Sequence, residues 1–353
     1  MIKTLISKTN LSCVSGYSQL TKKTIDILKK NYDLIELPVV FNKENSQEFK
    51  KLNKKTWGAP EFFITPLPDD PYFSMLNGMS PKNNCFVLTM WESTRLTRWQ
   101  REEVKCFKKI IVPSQWGKIA FEQAGFKNVE VINLFVDENV FYHKEKQNYD
   151  KFIFLTGGSH LLETGNHQRK DIDQIIRLFK KAFKGIKDVE LRVKLSENDY
   201  VKRKKYLDDQ VKYFSFLKSE NEYADFLSFG DAFISPSKSE GWGFMQIESL
   251  ACGNILICPQ YSSLVDYLTP ENHLPVDYTE ELAASNWGIA GGLWAEINEE
   301  SLIEQMLYAY HNKDQIRNNS RKYYESVLPK FSIANYEKNL INFLEINYIF
   351  EDL

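Results

Sequence analysis

The stretch "ISPSKSEGWGFMQIESLACGNILICP", residues 234–259, governs how the rest of the chain is read. It completes a short apolar run, "DAFISPS", that has the pattern of a buried strand. A loop holding Gly241 and Gly243 follows, then a helix that Gly253 is placed to end, then a second apolar strand, "NILICPQ". Two acids stand in this unit, Glu240 in the loop and Glu248 inside the helix. Acids near a helix start commonly cap it or face solvent, where the helix dipole favours them. The alternative is a ligand site, because doubly wound sheets bind ligands at strand carboxyl ends, where loops lead into helices. Helical rise throughout would put the two acids about 12 Å apart. Gly241 and Gly243 would leave backbone N–H groups open to an oxyanion.

Working outward, both halves of the chain repeat the rhythm of apolar strand, loop and amphipathic helix. In the first half "TLIS" precedes a loop with Gly16, and "LTKKTIDILKK" has helical spacing before "YDLIELPVV" returns as a strand. "EFFITPLP", "CFVLTMWES", "KKIIVPSQW", the helix "GKIAFEQAG" and "VEVINLFV" follow. The second half restarts with "FIFLTGG" and a helix whose Ile172, Ile175, Ile176, Phe179 and Phe183 share one face. "VELRVKL", a helix near "NEYADFLSFG", and a helix "SSLVDYL" after "NILICPQ" complete it. Short continuous apolar strands suit parallel sheets covered on both faces. The fold class is therefore α/β with two doubly wound domains. The polar segment 141–151 marks the boundary, giving domains 1–148 and 149–332. The helix in 333–353 comes after the second sheet is complete and is expected to brace the first domain.

At 353 residues the chain suits two cores rather than one. Its 47 acidic against 45 basic residues, a net charge of -2, provide no global basic field. This weighs against nucleic acid as a partner, although lysine clusters at 50–55 and 202–205 leave it open; solvated helix faces account for such clusters more often. The first residues are too short an apolar run for a signal peptide, and no stretch reaches membrane-spanning length, so a cytoplasmic protein is expected. Five cysteines (Cys13, Cys85, Cys106, Cys252, Cys258) without CxxC spacing argue against a disulfide framework or zinc site. The five histidines (His143, His160, His167, His273, His311) form no ligand pair.

The opening stretch closely resembles the signature of retaining glycosyltransferases of the GT-B fold, family 4 above all. It has PS, then EG(F/W)G, seven residues between the glutamates, and A-C-G before an apolar strand. Glu240, Gly241, Gly243, Glu248, Ala251, Cys252 and Gly253 fall on that pattern. "MWESTRL", "IIVPSQWGKIAFEQAG" and "INLFVDENVF" in the first half are similar too, and the likeness spans about residues 85–335. The resemblance implies a nucleotide-sugar donor (UDP-, GDP- or ADP-linked), with Glu248 on the ribose hydroxyls and Glu240 near the reacting carbon. It also implies donor contacts from Gly241, Trp242, Gly243, Gly157 and Gly158. The acceptor is a hydroxyl on a glycan, lipid, protein or modified base. Two rivals remain: a sugar-nucleotide epimerase, which shares the GT-B fold, and a non-catalytic sugar-nucleotide-binding subunit.

The family carries a basic pair after the first strand of the second domain, which falls on Arg169 and Lys170. Cations at a helix start are electrostatically poor unless an anion faces them. No metal or other cofactor is then expected, because fixed charge takes the metal's place. On the acceptor side, Gly16 is a partial match to a Gly-rich loop, and a simple turn accounts for it as well. Trp91 and Glu92 occupy the region where relatives carry a His, and a core Trp explains the first equally well. "DID", residues 171–173, has the spacing of metal-binding acids but opens a helix, where acids are favoured.

Overall fold

The computed structural model describes residues 4–9, 16–38, 61–64, 85–146, 150–158, 169–203, 208–215, 219–283 and 291–347. Cys13, His160, His167, the lysines of 50–55 and most of the loop before Arg169 lie outside them. The chain divides into two compact units, residues 1–134 with 334–353, and residues 135–333.

In the first unit, β1 (Thr4–Thr9), β2 (Asp33–Pro38), β3 (Glu61–Ile64), β4 (Cys85–Leu88), β5 (Lys109–Val112) and β6 (Val129–Val131) form one sheet. Its order is β2-β1-β3-β4-β5-β6 and every pairing is parallel. Phe62, Phe86, Val87, Ile110 and Ile111 are fully buried, as expected of strands covered on both faces. Helix Ile333–Asn347 packs on this unit. Phe343 meets Phe86 edge-to-face at 5.9 Å, and the Tyr336 hydroxyl is hydrogen-bonded to Thr24 Oγ1 at 2.8 Å.

The second unit holds β7 (Phe152–Gly157), β8 (Val189–Lys194), β9 (Val211–Phe214), β10 (Ala232–Ile234), β11 (Ile255–Cys258) and β12 (His273–Pro275). Their order is β12-β11-β10-β7-β8-β9, again all parallel. Chain direction across the sheet reverses between β7 and β10, the switch point where such sheets form a crevice at their carboxyl ends. The polar segment placed at the domain boundary falls, with residues 135–140 before it, inside this unit. Val136 N–H donates to the Phe331 carbonyl at 2.8 Å, and Phe141 packs edge-on to Tyr223 at 5.7 Å. Lys146 donates to the carbonyls of Gly230 and Cys252 and to Asn254 Oδ1 at 2.6, 3.1 and 2.8 Å. It thereby satisfies carbonyls left open where two helices end.

Two local readings change. "SSLVDYL" forms a single 3-10 turn, Ser262–Asp266, rather than an α-helix. Its first residue has φ of 58°, a left-handed start that does not lead into an α-helix. Beyond β12, where no element was expected, β13 (Tyr278–Leu282) and β14 (Leu293–Ile297) pair as an antiparallel hairpin.

Candidate functional site

The site grows from the two strands at the switch point. After β10 the chain runs through Ser235–Pro236–Ser237 in extended form, and the segment carrying the basic pair zips against it. Lys170 and Ser237 pair as an antiparallel bridge. Lys238 N–H donates to the Arg169 carbonyl at 2.8 Å, and Asp171 N–H donates to the Pro236 carbonyl at 3.0 Å. Asp171 then caps helix Ile172–Ala182 by accepting from Gln174 N–H. The acids of "DID" are thus occupied locally: Asp173 pairs with Arg203.

That pairing brings the basic side chains onto Glu240. Arg169 Nη1 lies 3.1 Å and Lys170 Nζ 3.4 Å from the Glu240 carboxylate. Arg169 also donates to the Ser239 carbonyl at 2.7 Å and to Ser237 Oγ at 3.2 Å. The backbone of Glu240 is pinned from the other side. Its N–H donates to Ser262 Oγ at 3.0 Å, and Ser263 Oγ donates to its carbonyl at 2.8 Å. The left-handed φ of Ser262 belongs to this arrangement. Glu240 is only 7% exposed, and burial by itself would raise its pKa. Lys170 and Arg169 outweigh burial, and with hydrogen bonds from Ser237 and Arg169 they hold it at about 2.

Glu248 behaves oppositely. It lies in helix Phe244–Ala251, 4% exposed, and burial pushes its carboxyl up to about 8 against the smaller pull of Tyr223 and Lys194. The buried Tyr223 hydroxyl is near enough to influence Glu248 but makes no hydrogen bond of good geometry. Lys194, at the end of β8, places its ammonium 4.7 Å above the Tyr223 ring. Neither acid caps the helix: its N-cap is Gly243, without a side-chain hydrogen bond. Nor does either face water. Helical rise applies only from Phe244 onward, so the 12 Å spacing of the two acids does not follow from it.

The glycines hold this geometry tight. Gly243 has φ of 86°, and a Cβ there would stand 2.6 Å from the Tyr267 hydroxyl. A Cβ on Gly157 would stand 2.7 Å from Met245 Cε, and one on Gly158 3.1 Å from Lys170 Cδ. Gly241 is buried between Glu240 and Trp242. Trp242, expected on the donor side, has its indole in the core. It is 1% exposed, with the Tyr267 and Phe331 rings each 5.5 Å away, and its carbonyl accepts from the Tyr267 hydroxyl at 3.1 Å.

The acceptor-side candidates belong to the other unit. Gly16 opens helix Gly16–Asn31 rather than sitting in a loop. Trp91 packs on the core of the first sheet and donates its indole N–H to the Arg95 carbonyl at 2.9 Å; Glu92 is half-buried. Residues that sequence reasoning missed are Ser237, Ser262, Ser263, Lys194, Tyr223 and Lys238. Ser237 and Lys238 lie in the motif stretch itself, where Ser237 is the serine of its PS, and only their contacts reveal a role; Ser262, Ser263, Lys194 and Tyr223 carry no spacing signal, since the fold brings them in from other segments.

Residues 165–324 match the family of glycosyl transferases group 1. Comparison with curated protein sequences finds no match. Among solved structures, HepE of Anabaena in complex with UDP and glucose is similar at a TM-score of 0.66 and 11% identity, covering 98% of this chain and 100% of that one. Sucrose-phosphate synthase from Thermosynechococcus elongatus is similar at 0.70 and 12% identity, covering 98% and 99%. The lipopolysaccharide outer core galactosyltransferase WaaB is similar at 0.65 and 10% identity, covering 98% and 100%. At 10–12% identity these likenesses show the fold. The chain has the GT-B fold of these proteins, and its residues 165–324 match the model of the glycosyl transferases group 1 family.

Proposed function

We propose that this chain is a retaining glycosyltransferase that moves a sugar from a UDP-, GDP- or ADP-sugar to a hydroxyl acceptor. The observation that carries the reading is the Arg169–Glu240–Lys170 cluster at the carboxyl ends of β7 and β10. Two cations face one ionised acid there, while the nearby Glu248 carboxyl, pushed up to about 8, is mostly protonated at neutral pH. Positive charge exceeds negative, which suits a diphosphate.

In the reaction, the bond from the anomeric carbon to the diphosphate oxygen breaks and one to the acceptor oxygen forms. The acceptor's proton passes to the departing phosphate. Arg169 and Lys170 would offset the charge that develops on that leaving group. Glu240, held ionised beside them, would face the sugar as its carbon gains positive character, and Glu248 would hold the ribose hydroxyls. Fixed cations make a divalent metal unnecessary.

A thermal-shift screen of nucleoside diphosphates and their sugars tests the reading, because a ligand of the folded state raises its melting temperature. One nucleotide family should stabilise the protein, and its sugar should be transferred in excess chelator with the anomeric configuration kept. Turnover of the donor with no acceptor present, yielding an epimer, would overturn transfer. Binding without release of the diphosphate would overturn catalysis.

A further inference from the structure

The hairpin β13–β14 sits beside the site segment and is not used by the chemistry above. Its register places Thr279 opposite Glu296 and Glu281 opposite Trp294, so Glu281 and Glu296 are diagonal neighbours on one face. Two carboxylates so placed repel one another. Between them lies Lys238, whose ammonium meets Glu281 at 2.6 Å and also contacts Glu296. The Lys238 side chain is only 9% exposed, against 38% and 31% for the two carboxylates, so its ammonium is the buried centre of the triad and offsets their mutual repulsion. Gln174, from the helix that follows the basic pair, donates to Glu296 at 3.3 Å.

The backbone of Lys238 joins the same parts. Ala295 N–H of β14 donates to the Lys238 carbonyl at 3.1 Å, and Lys238 N–H donates to the Arg169 carbonyl at 2.8 Å. Hairpin, acid-bearing segment and basic segment therefore form one short ladder, with Lys238 in its middle. Lys238 is two residues from Glu240 and one bonded step from Arg169.

We propose that Lys238 is a positioning residue: clamped by Glu281 and Glu296, it sets the segment on which Arg169, Lys170 and Glu240 meet. This rests on the reading of that cluster as a diphosphate site. Charged groups meant to receive a substrate must be held to fractions of an ångström, and surrounding contacts do that holding. Lys238 itself touches no reacting atom. Its effect should fall on the diphosphate and leave the nucleoside part of the ligand alone.

The test is calorimetric titration with UDP, GDP and ADP, and with the parent nucleoside of whichever binds best. Lys238→Met should weaken the diphosphate about tenfold and leave the nucleoside unchanged. Lys238→Arg, which keeps the charge between the two acids, should recover most of the loss. In an Arg169→Ala background, Lys238→Met should cost nothing further. Should Lys238→Met fold poorly, Glu296→Gln loosens the same clamp more gently and should show the same split between diphosphate and nucleoside. Wild-type affinity for the diphosphate in both variants would overturn the positioning role while leaving the site intact. Equal losses for nucleoside and diphosphate would overturn it in favour of a general structural role. Failure of the wild-type protein to bind any of the three nucleotides would overturn the diphosphate site itself, and this inference with it.

Discussion

The loop around Glu240 and the helix around Glu248 belong to the same strand-to-helix connection and bury the same side chain, yet they give it opposite character. Both acids lose nearly all their water, at 7% and 4% exposure. At Glu240 two cations more than offset that loss, and the carboxyl titrates at about 2. At Glu248 the neighbours are a tyrosine and a more distant lysine, and it titrates at about 8. Burial sets a common penalty on the charged form, and the partners decide whether it is paid. One connection thus presents a fixed anion and, a short way along, a neutral carboxyl.

The largest break in this comparison should come from Glu240→Gln. It leaves Arg169 and Lys170 facing one another without their counter-charge, which should cost about 3 kcal/mol of stability in denaturant titrations. Inorganic pyrophosphate should recover part of that loss, and turnover should fall far more than donor affinity. Unchanged stability and turnover would mean that the ion pairs contribute nothing. Arg169→Ala and Lys170→Ala come next, each expected to lose roughly 1.5 to 3 kcal/mol of transition-state stabilisation, read as kcat/KM in excess chelator. Rescue of activity by manganese or magnesium, with little effect of either substitution, would move the phosphate site elsewhere.

Glu248→Ala should act on the other half of the pair by weakening donor binding about 1 to 3 kcal/mol at saturable kcat, seen in KM. The titrations sharpen the contrast. Glu248 has a folded pKa of about 8, above its ordinary value of 4.5, so its contribution favours folding below pH 4.5 and is lost as pH rises toward 8. Glu240 runs the other way: its contribution is present above pH 4.5 and lost as pH falls toward about 2. The melting temperature of wild type minus that of Glu248→Gln should therefore decline from pH 4.5 to about 8, and a flat difference would contradict the burial argument. The smallest effect belongs to Tyr223→Phe. It removes a buried hydroxyl that makes no hydrogen bond of good geometry to a described residue and should change stability by less than about 1 kcal/mol, while raising the Glu248 pKa further by removing the hydroxyl's pull on it.

Much of this was legible in the chain. The apolar runs at residues 152–157, 232–234 and 255–258 form β7, β10 and β11 because a buried parallel strand needs apolar residues on both faces, while β8, residues 189–194, is marked by alternating Val189, Leu191 and Val193. Glu240, Arg169 and Lys170 could be singled out because their neighbours follow a recognisable pattern. The hairpin could not, since β13 alternates "YTEEL" with four of its five residues exposed and buries too little to leave a periodic signal. Trp242 was placed on the donor side from its motif position, and nothing local reveals that Tyr267 and Phe331 enclose it.

By itself, then, the sequence determined which strands are buried, where helix Phe244–Ala251 starts and stops, and which acids and bases lie near strand ends. These follow from local steric preference, from Gly243 and Gly253 in left-handed conformations, and from the periodicity of apolar side chains. Only the tertiary structure decided that Arg169 and Lys170 close on Glu240, that Ser262 and Ser263 pin its backbone, and that Lys238 joins the site to the hairpin. Those contacts link positions tens of residues apart, and their strength depends on how much water each pair excludes, a property of the packed fold that no single segment carries.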